Sequence, residues 1–332
     1  MPILDSEIKT YRSAVVNDTT ANGGPISLTE EASGLSASLW PNVSKSQRAS
    51  GVTQYRKLFW KIEDAENLEA SGVNIGLWQP TTSADRMYLF EGTASDTQAD
   101  VTTPDLFGAG KLYATVLAGV TSIEVTVDDI STTVFRDGML IRISDKTIED
   151  GAWSVTGSEE FVHVSGTPTV SGSILTITID TALLNGYGST NTYVTGLIEV
   201  PSIKADVGTA TVTSTAGTFD KTLVVPQNVG GMTHTLTFTF SSATAFSCTS
   251  DLYGSLGTGN RASAFEPTNN ILGSAHVSVP STCWGGTFII GDTVELELVA
   301  AAYGLWMKRV IPAGAASIGS VTRSIMFFGE SP

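Results

Sequence analysis

The run Met232-Thr233-His234-Thr235-Leu236-Thr237-Phe238-Thr239-Phe240 constrains this chain more than any other stretch. Successive side chains of a strand point to opposite faces. One face therefore carries Met232, His234, Leu236, Phe238 and Phe240, and the other carries only threonine. A helix would scatter that set, because its faces repeat every ~3.6 residues. The run predicts an antiparallel strand with one face in a core and the other in water.

The pattern recurs. Ser122 to Asp128 places Ile123, Val125 and Val127 inward, and Leu175 to Ile179 and Val294 to Leu298 alternate in the same way. Ile8 to Val16, Met139 to Ile143, Phe161 to Val164, Tyr193 to Val200 and Ser320 to Gly329 are further strand candidates. Tyr55 to Ile62, Val73 to Trp78 and Arg86 to Phe90 read as a small antiparallel sheet, followed by loop over 93–113. Asn17 to Pro25 reads as loop, and Gly257 to Asn260 and Gly285 to Thr287 as turns. Ser44 to Arg48 is one helical turn, and nothing sustains a helical period beyond three turns.

A chain of 332 residues exceeds one comfortable core and divides into domains. We expect a mainly β, multi-domain fold in which antiparallel β-sandwich or barrel modules are inserted into a scaffold built from the N- and C-terminal segments. The N-terminal part of the scaffold is 1–115, and a β-barrel or sandwich module follows over 116–205. A second, Ig-like β-sandwich covers 206–300, and 301–332 is the C-terminal part of the scaffold. The run from Tyr303 to Ala316, which breaks at Pro312, is expected to pack with Tyr55 to Ile62, and Ile325 to Phe328 to close the same sheet.

Charge excludes one class of partner. Lys and Arg number 18 against 33 Asp and Glu, a net −15. Residues 116–300 hold 6 and 18 of these, or −12, which leaves 12 and 15, or −3, for the two ends. Nucleic-acid binding needs cations in numbers, so none is expected. No run approaches the roughly 18–20 apolar residues of a membrane helix. The start lacks a basic segment followed by an apolar one. The chain reads as soluble and made in the cytoplasm, with no membrane partner. Cys248 and Cys283 form either one bridge or two buried thiols.

Catalytic chemistry finds little footing. A hydrolase needs a nucleophile, a base and an orienting group together. His163, His234 and His276 lie in strand-like contexts and read as structural or surface residues. Gly-x-Ser-x-Gly is absent, and Phe107-Gly108-Ala109-Gly110-Lys111-Leu112 lacks the phosphate-loop spacing. Two cysteines and scattered histidines do not match zinc spacing. Asp128-Asp129 and Ser144 to Gly151 could hold calcium only outside the EF-hand pattern. The expectation is a non-enzyme without cofactor or metal. Trp40, Trp78 and Trp153 could serve as sugar platforms or as buried anchors.

Two cation-aromatic stretches remain, with Tyr55, Arg56, Lys57 and Trp60 in one and Trp306, Lys308 and Arg309 in the other. Either the aromatics are core and the cations snorkel to water, or these seven form a subunit interface, where aromatics and Arg are enriched.

Several of these stretches resemble virion structural proteins of tailed double-stranded DNA bacteriophages. At the start they are Lys9 to Ser13, Val16 to Gly24 and Tyr55 to Lys61. Towards the end they are Trp284 to Phe288, Gly291 to Thr293 and Leu305 to Ala315. Residues 116–205 share only the style. The resemblance implies a non-enzymatic tail, baseplate or neck component of the virion. It would assemble with copies of itself in a ring-forming homo-oligomer and with other virion proteins. The alternatives are a capsid decoration protein and a host-surface or carbohydrate-binding β-sandwich adhesin.

Overall fold

The computed structural model describes residues 2–31, 39–81, 83–149, 152–153, 156–317 and 324–330. Its strands of three or more residues begin with β1 (Ile8–Val15), β2 (Gly23–Glu30), β3 (Val52–Ile62), β4 (Ala70–Leu77), β5 (Arg86–Glu91), β6 (Ala109–Leu112) and β7 (Ser122–Val127). They continue with β8 (Leu140–Ser144), β9 (Glu159–His163), β10 (Thr169–Ser171), β11 (Ile174–Thr178), β12 (Tyr193–Ile203), β13 (Asp206–Thr213) and β14 (Ala216–Phe219). The last are β15 (His234–Phe240), β16 (Ala245–Ser250), β17 (Gly254–Asn260), β18 (Trp284–Thr287), β19 (Thr293–Val299), β20 (Ala302–Ile311) and β21 (Ile325–Glu330). Among the described residues there is one α-helix, Lys45–Ser50, capped by Ser44, whose hydroxyl accepts from Gln47 N. The chain is a mainly β, multi-domain protein of several antiparallel sheets, one of which forms a half-barrel.

The first sheet has the order β2-β1-β3-β20-β5. Distant halves of the chain meet at its centre. Trp60 faces Tyr303, Lys57 faces Trp306 and Tyr55 faces Lys308 across the β3–β20 ladder, which ends at Val52 and Ile311. Pro312 stops it, since proline has no ladder donor. The apolar alternation of β3 then separates two faces. Leu58, Trp60 and Ile62 enter one core, whereas Phe59 enters another.

The second sheet has nine strands, in the order β9-β8-β12-β6-β7-β11-β10, with β4 paired to both β12 and β21. It shares a single core with the first. Leu58, Trp60, Ile62, Leu89, Leu305 and Met307 pack with Val73, Ile75, Ile141, Ile143, Ile177, Val194 and Ile198. The boundary expected at 115/116 therefore does not divide cores. β6 precedes that boundary yet pairs with β7 and β12, because Gly110 lets Val125 approach where a Cβ would lie 2.4 Å from its Cγ1. We call the two sheets together the platform.

Three further expectations are corrected. β21 pairs with β4 in the second sheet and does not close the first, whose edge strands are β2 and β5. β3, β4 and β5 do not form one sheet, since β4 crosses to the second layer. The expected loop over Asn17 to Pro25 and the turns over Gly257 to Asn260 and Gly285 to Thr287 fall partly or wholly in strands β2, β17 and β18.

Residues 206–300 form a separate cored unit, here termed the module. Its main sheet runs β13-β19-β15-β16-β17, with a β14–β18 ladder and Val225–Pro226 paired to Val277–Ser278 outside it. The alternating face of β15 supplies Leu236, Phe238 and Phe240, opposite Phe265, Trp284 and Phe288. Phe240 stacks on Phe288 at a 4.0 Å centroid distance. Burying each such ring contributes roughly 1.5–3 kcal/mol. Cys248 and Cys283 lie in this core as free thiols.

Candidate assembly site

The cation-aromatic stretches become a buried polar lock on the outer face of the first sheet. Lys57 is fully buried, and its ammonium donates to Asp96 Oδ1 at 2.6 Å, Asp96 O at 3.0 Å and Gly24 O at 2.9 Å. An ammonium has three donors, and all are used. Asp96 Oδ2 accepts from Trp306 Nε1 at 2.6 Å, and Oδ1 also accepts from Thr93 N and Oγ1. Burial pushes the Asp96 carboxyl up, but its bonds to Lys57 and Trp306 outweigh this and hold it below the usual carboxylate range. Burial pulls Lys57 down, partly offset by Asp96.

Trp306 has no exposed surface and stacks on Phe90, with centroids 6.0 Å apart and planes at 4°. Two glycines make its slot. A Cβ on Gly23 would lie 2.7 Å from the indole and one on Gly92 2.9 Å, and Gly23 also needs φ +104°. β2 and the loop after β5 are thereby clamped over the sheet.

On the opposite face, Arg56 donates to Asp18 Oδ1 at 2.8 Å and to the Leu39 and Asn17 carbonyls. Trp40 lies beneath Arg56 at 5.1 Å and beneath Arg309 at 5.8 Å. Arg309 pairs with Asp85 at 3.0 Å.

Four of the seven expected interface residues, Arg56, Lys57, Trp60 and Trp306, are thus buried within the chain's own platform. Tyr55, Lys308 and Arg309 keep partial exposure. Lysine snorkelling is overturned at Lys57, because carbonyl and carboxylate acceptors reach the ammonium where it lies.

Lys61 is a second fully buried lysine, and it marks the joint between platform and module. It donates to Asn228 O and Val229 O, both at 2.6 Å, and to Glu63 at 3.1 Å. Asn228 bonds back to Leu68 O, Asn67 Oδ1 and Ala205 N. Asn67 takes the left-handed conformation at φ +59°. Tyr11, Ile26 and Phe59 of the platform pack against Met232 and Ala300 of the module in a small core of their own. The joint is packed and hydrogen-bonded, unlike a free linker.

Sequence reasoning passed over Asp96, Asn67 and Asn228. The signal available was the i, i+4 pair Lys57 and Lys61 inside an apolar run. Period two sends both to one face, where each needs acceptors from elsewhere.

The chemical candidates lie apart. His163 is exposed beside Asp180 at 3.3 Å. His234 and His276 are buried in the module with ring centroids 4.7 Å apart. Asp129 pairs with Arg86 and accepts from Ser131, and Asp128 accepts from Thr81. Asp150, Gly151 and the side chains of Glu149 and Trp153 fall outside the described residues. Trp78 is buried under Arg142 at 4.5 Å, which removes it as a sugar platform. Among the described residues, no group of three or more His, Cys, Asp or Glu side chains is placed to hold a metal ion, and no helix is long and apolar enough to cross a membrane.

Comparison with protein-family models, with curated proteins and with solved structures found no match.

Proposed function

We propose that this chain is a non-enzymatic structural component of a tailed double-stranded DNA phage particle, placed in the tail, baseplate or neck. The observation that carries the reading is the joint. A separately cored module is held on a two-layer platform by a buried lysine with all its donors used. Such construction fits a part that bears load between neighbours. In this reading 206–300 is an Ig-like β-sandwich inserted between the N- and C-terminal parts of a scaffold.

The surface supports the same reading. Leu117 and Leu184 are 75% and 81% exposed on adjoining loops. Those loops are not slack. Glu160, itself buried, accepts from Leu184 N, Asn185 N and Tyr187 Oη, so the leucines are presented on a fixed support. Exposed apolar groups held rigidly suit protein contacts. The partners are copies of this chain, in a closed ring, and other virion proteins. Synthesis is in the host cytoplasm and the final location is the virion.

The test is electron cryomicroscopy of purified particles encoding the chain. It should occupy a symmetric ring, with Leu117 and Leu184 at a contact. A Leu117→Ser/Leu184→Ser variant should fold normally and fail to enter particles. Absence of the wild-type chain from purified particles would overturn the reading.

A further inference from the structure

We propose that the joint between platform and module is an acid-operated latch worked by the His234–His276 pair. The inference rests on the joint's geometry alone and stands whether or not the phage reading does.

The strap between the two units runs from Gln227 to His234. Lys61 holds it from the platform side through the Asn228 and Val229 carbonyls. The next two residues have no room to move. A Cβ on Gly230 would lie 2.2 Å from Ala275 O, and one on Gly231 2.1 Å from Gln227 O. From the module side, Asn269 Nδ2 donates to Gly230 O at 3.1 Å, and His276 follows Ala275, whose carbonyl abuts Gly230. Met232 plugs the joint core, and His234 follows. One histidine therefore lies beside the strap and the other terminates it.

The rings form a triangle with Tyr253. Centroids are 4.7 Å apart for the histidines, 5.2 Å for His234–Tyr253 and 5.0 Å for Tyr253–His276. Ser250 Oγ already accepts from Leu252 N and Tyr253 N, so its proton points at His234 Nδ1, 2.8 Å away. That network assigns the His234 ring proton to Nε2. His234 Nε2, His276 Nδ1 and Tyr253 Oη have no hydrogen-bond partner.

The site is built for two neutral rings. A proton on either creates a buried cation beside its neighbour, and a second proton adds like-charge repulsion. The charged groups around the pair do little to accept it. Asp251, at the end of β16, attracts His234 but is engaged by Thr235 N. Across the strap stand Lys61, another cation, and Glu63, which Lys61 and the Tyr11 hydroxyl already use. Tyr253 offers no charge to balance it. Burial first, and then the neighbouring ring, pull His234 down to about 4, and burial pulls His276 down to about 4. Once protonated, the rings gain solvation only when the strap lifts and water enters. The platform core has no such pair and stays closed.

The test is hydrogen exchange by mass spectrometry on the full chain, corrected for intrinsic pH dependence, between about pH 7 and 3.5. Peptides over 227–234 and 268–276 should lose protection at least tenfold between about pH 6 and 4. β3 and β20 should keep theirs. In a His234→Gln/His276→Gln variant, folded at neutral pH by circular dichroism, that loss should vanish above about pH 4. The latch is overturned if the variant opens at the wild-type pH, or if strap and platform open together. Should the variant not fold, imidazole NMR on the wild type decides. Resonances that titrate together with opening support the latch. Titration at the ordinary histidine pH without opening, or opening without titration, overturns it.

Discussion

Replacing Asp96 by alanine is the sharpest probe of the platform. Lys57 is fully buried and Asp96 is 15% exposed, so solvent screens the pair little. Asp96→Ala leaves the ammonium with two carbonyl acceptors and no bonded counter-charge, and it orphans the Trp306 indole N–H. Breaking a buried pair from one side costs about 3–5 kcal/mol. Lys57→Met removes the cation and keeps Asp96 bonded to Thr93 and Trp306, so about 1–2 kcal/mol is expected. The double variant should lie near Lys57→Met, a coupling of about 3–5 kcal/mol, the whole cost of Asp96→Ala. Because the chain is multi-domain, a single global unfolding curve does not isolate this term. The readout is the opening free energy of β3 and β20 amides by native-state hydrogen exchange. A loss under about 1 kcal/mol in Asp96→Ala, the range of an exposed pair, would refute the reasoning. So would a double variant no more stable than Asp96→Ala.

Other predictions follow from the same geometry. Gly92→Ala sets a methyl 2.9 Å from the Trp306 ring and 3.1 Å from Gly304 O. It should destabilise the platform by about 1–3 kcal/mol, and an unchanged opening free energy of the β20 amides by hydrogen exchange would show that the indole yields. Cys248 and Cys283 are buried, and burial pushes the Cys248 thiol up to about 12. Thiol reagents at pH near 8 should therefore react only after denaturation, and fast labelling of the native chain would contradict this burial. Module stability should fall with acid. The two buried rings sit at about 4 when folded and at the ordinary histidine value when unfolded. The unfolded state thus binds more protons between those values, so stability is intact above about 6.5 and drops on the way to 4, by up to about 3 kcal/mol per ring. A flat urea midpoint across that window would refute it.

Much of the fold was legible because period-two alternation is a local signal. Ser122 to Asp128, Leu175 to Ile179, Val294 to Leu298 and Tyr55 to Ile62 all read as strands and lie in strands. β2 and β6 escaped notice for the opposite reason. β6 is short, holds Gly110 and is held by β12 far along the chain, whereas β2 pairs with its neighbour β1 but opens on Gly23-Gly24-Pro25, which reads as loop. The candidate site was half legible. Its cations and aromatics stood out, but which of them would be covered did not.

The sequence by itself determined that this chain is mainly β, that Met232 to Phe240 has one wet face, and that Lys57 and Lys61 share a side of β3. Those are properties of neighbouring residues, set by backbone stereochemistry and apolar spacing. Only the tertiary structure decided that Asp96 neutralises Lys57, that Asn228 and Val229 cap Lys61, and that His234 meets His276. These contacts join residues tens to well over a hundred positions apart, and no local pattern encodes which distant acceptor arrives. Burial decides the rest. A lysine near a core reaches for water unless the fold brings it three acceptors, and here the fold does so twice.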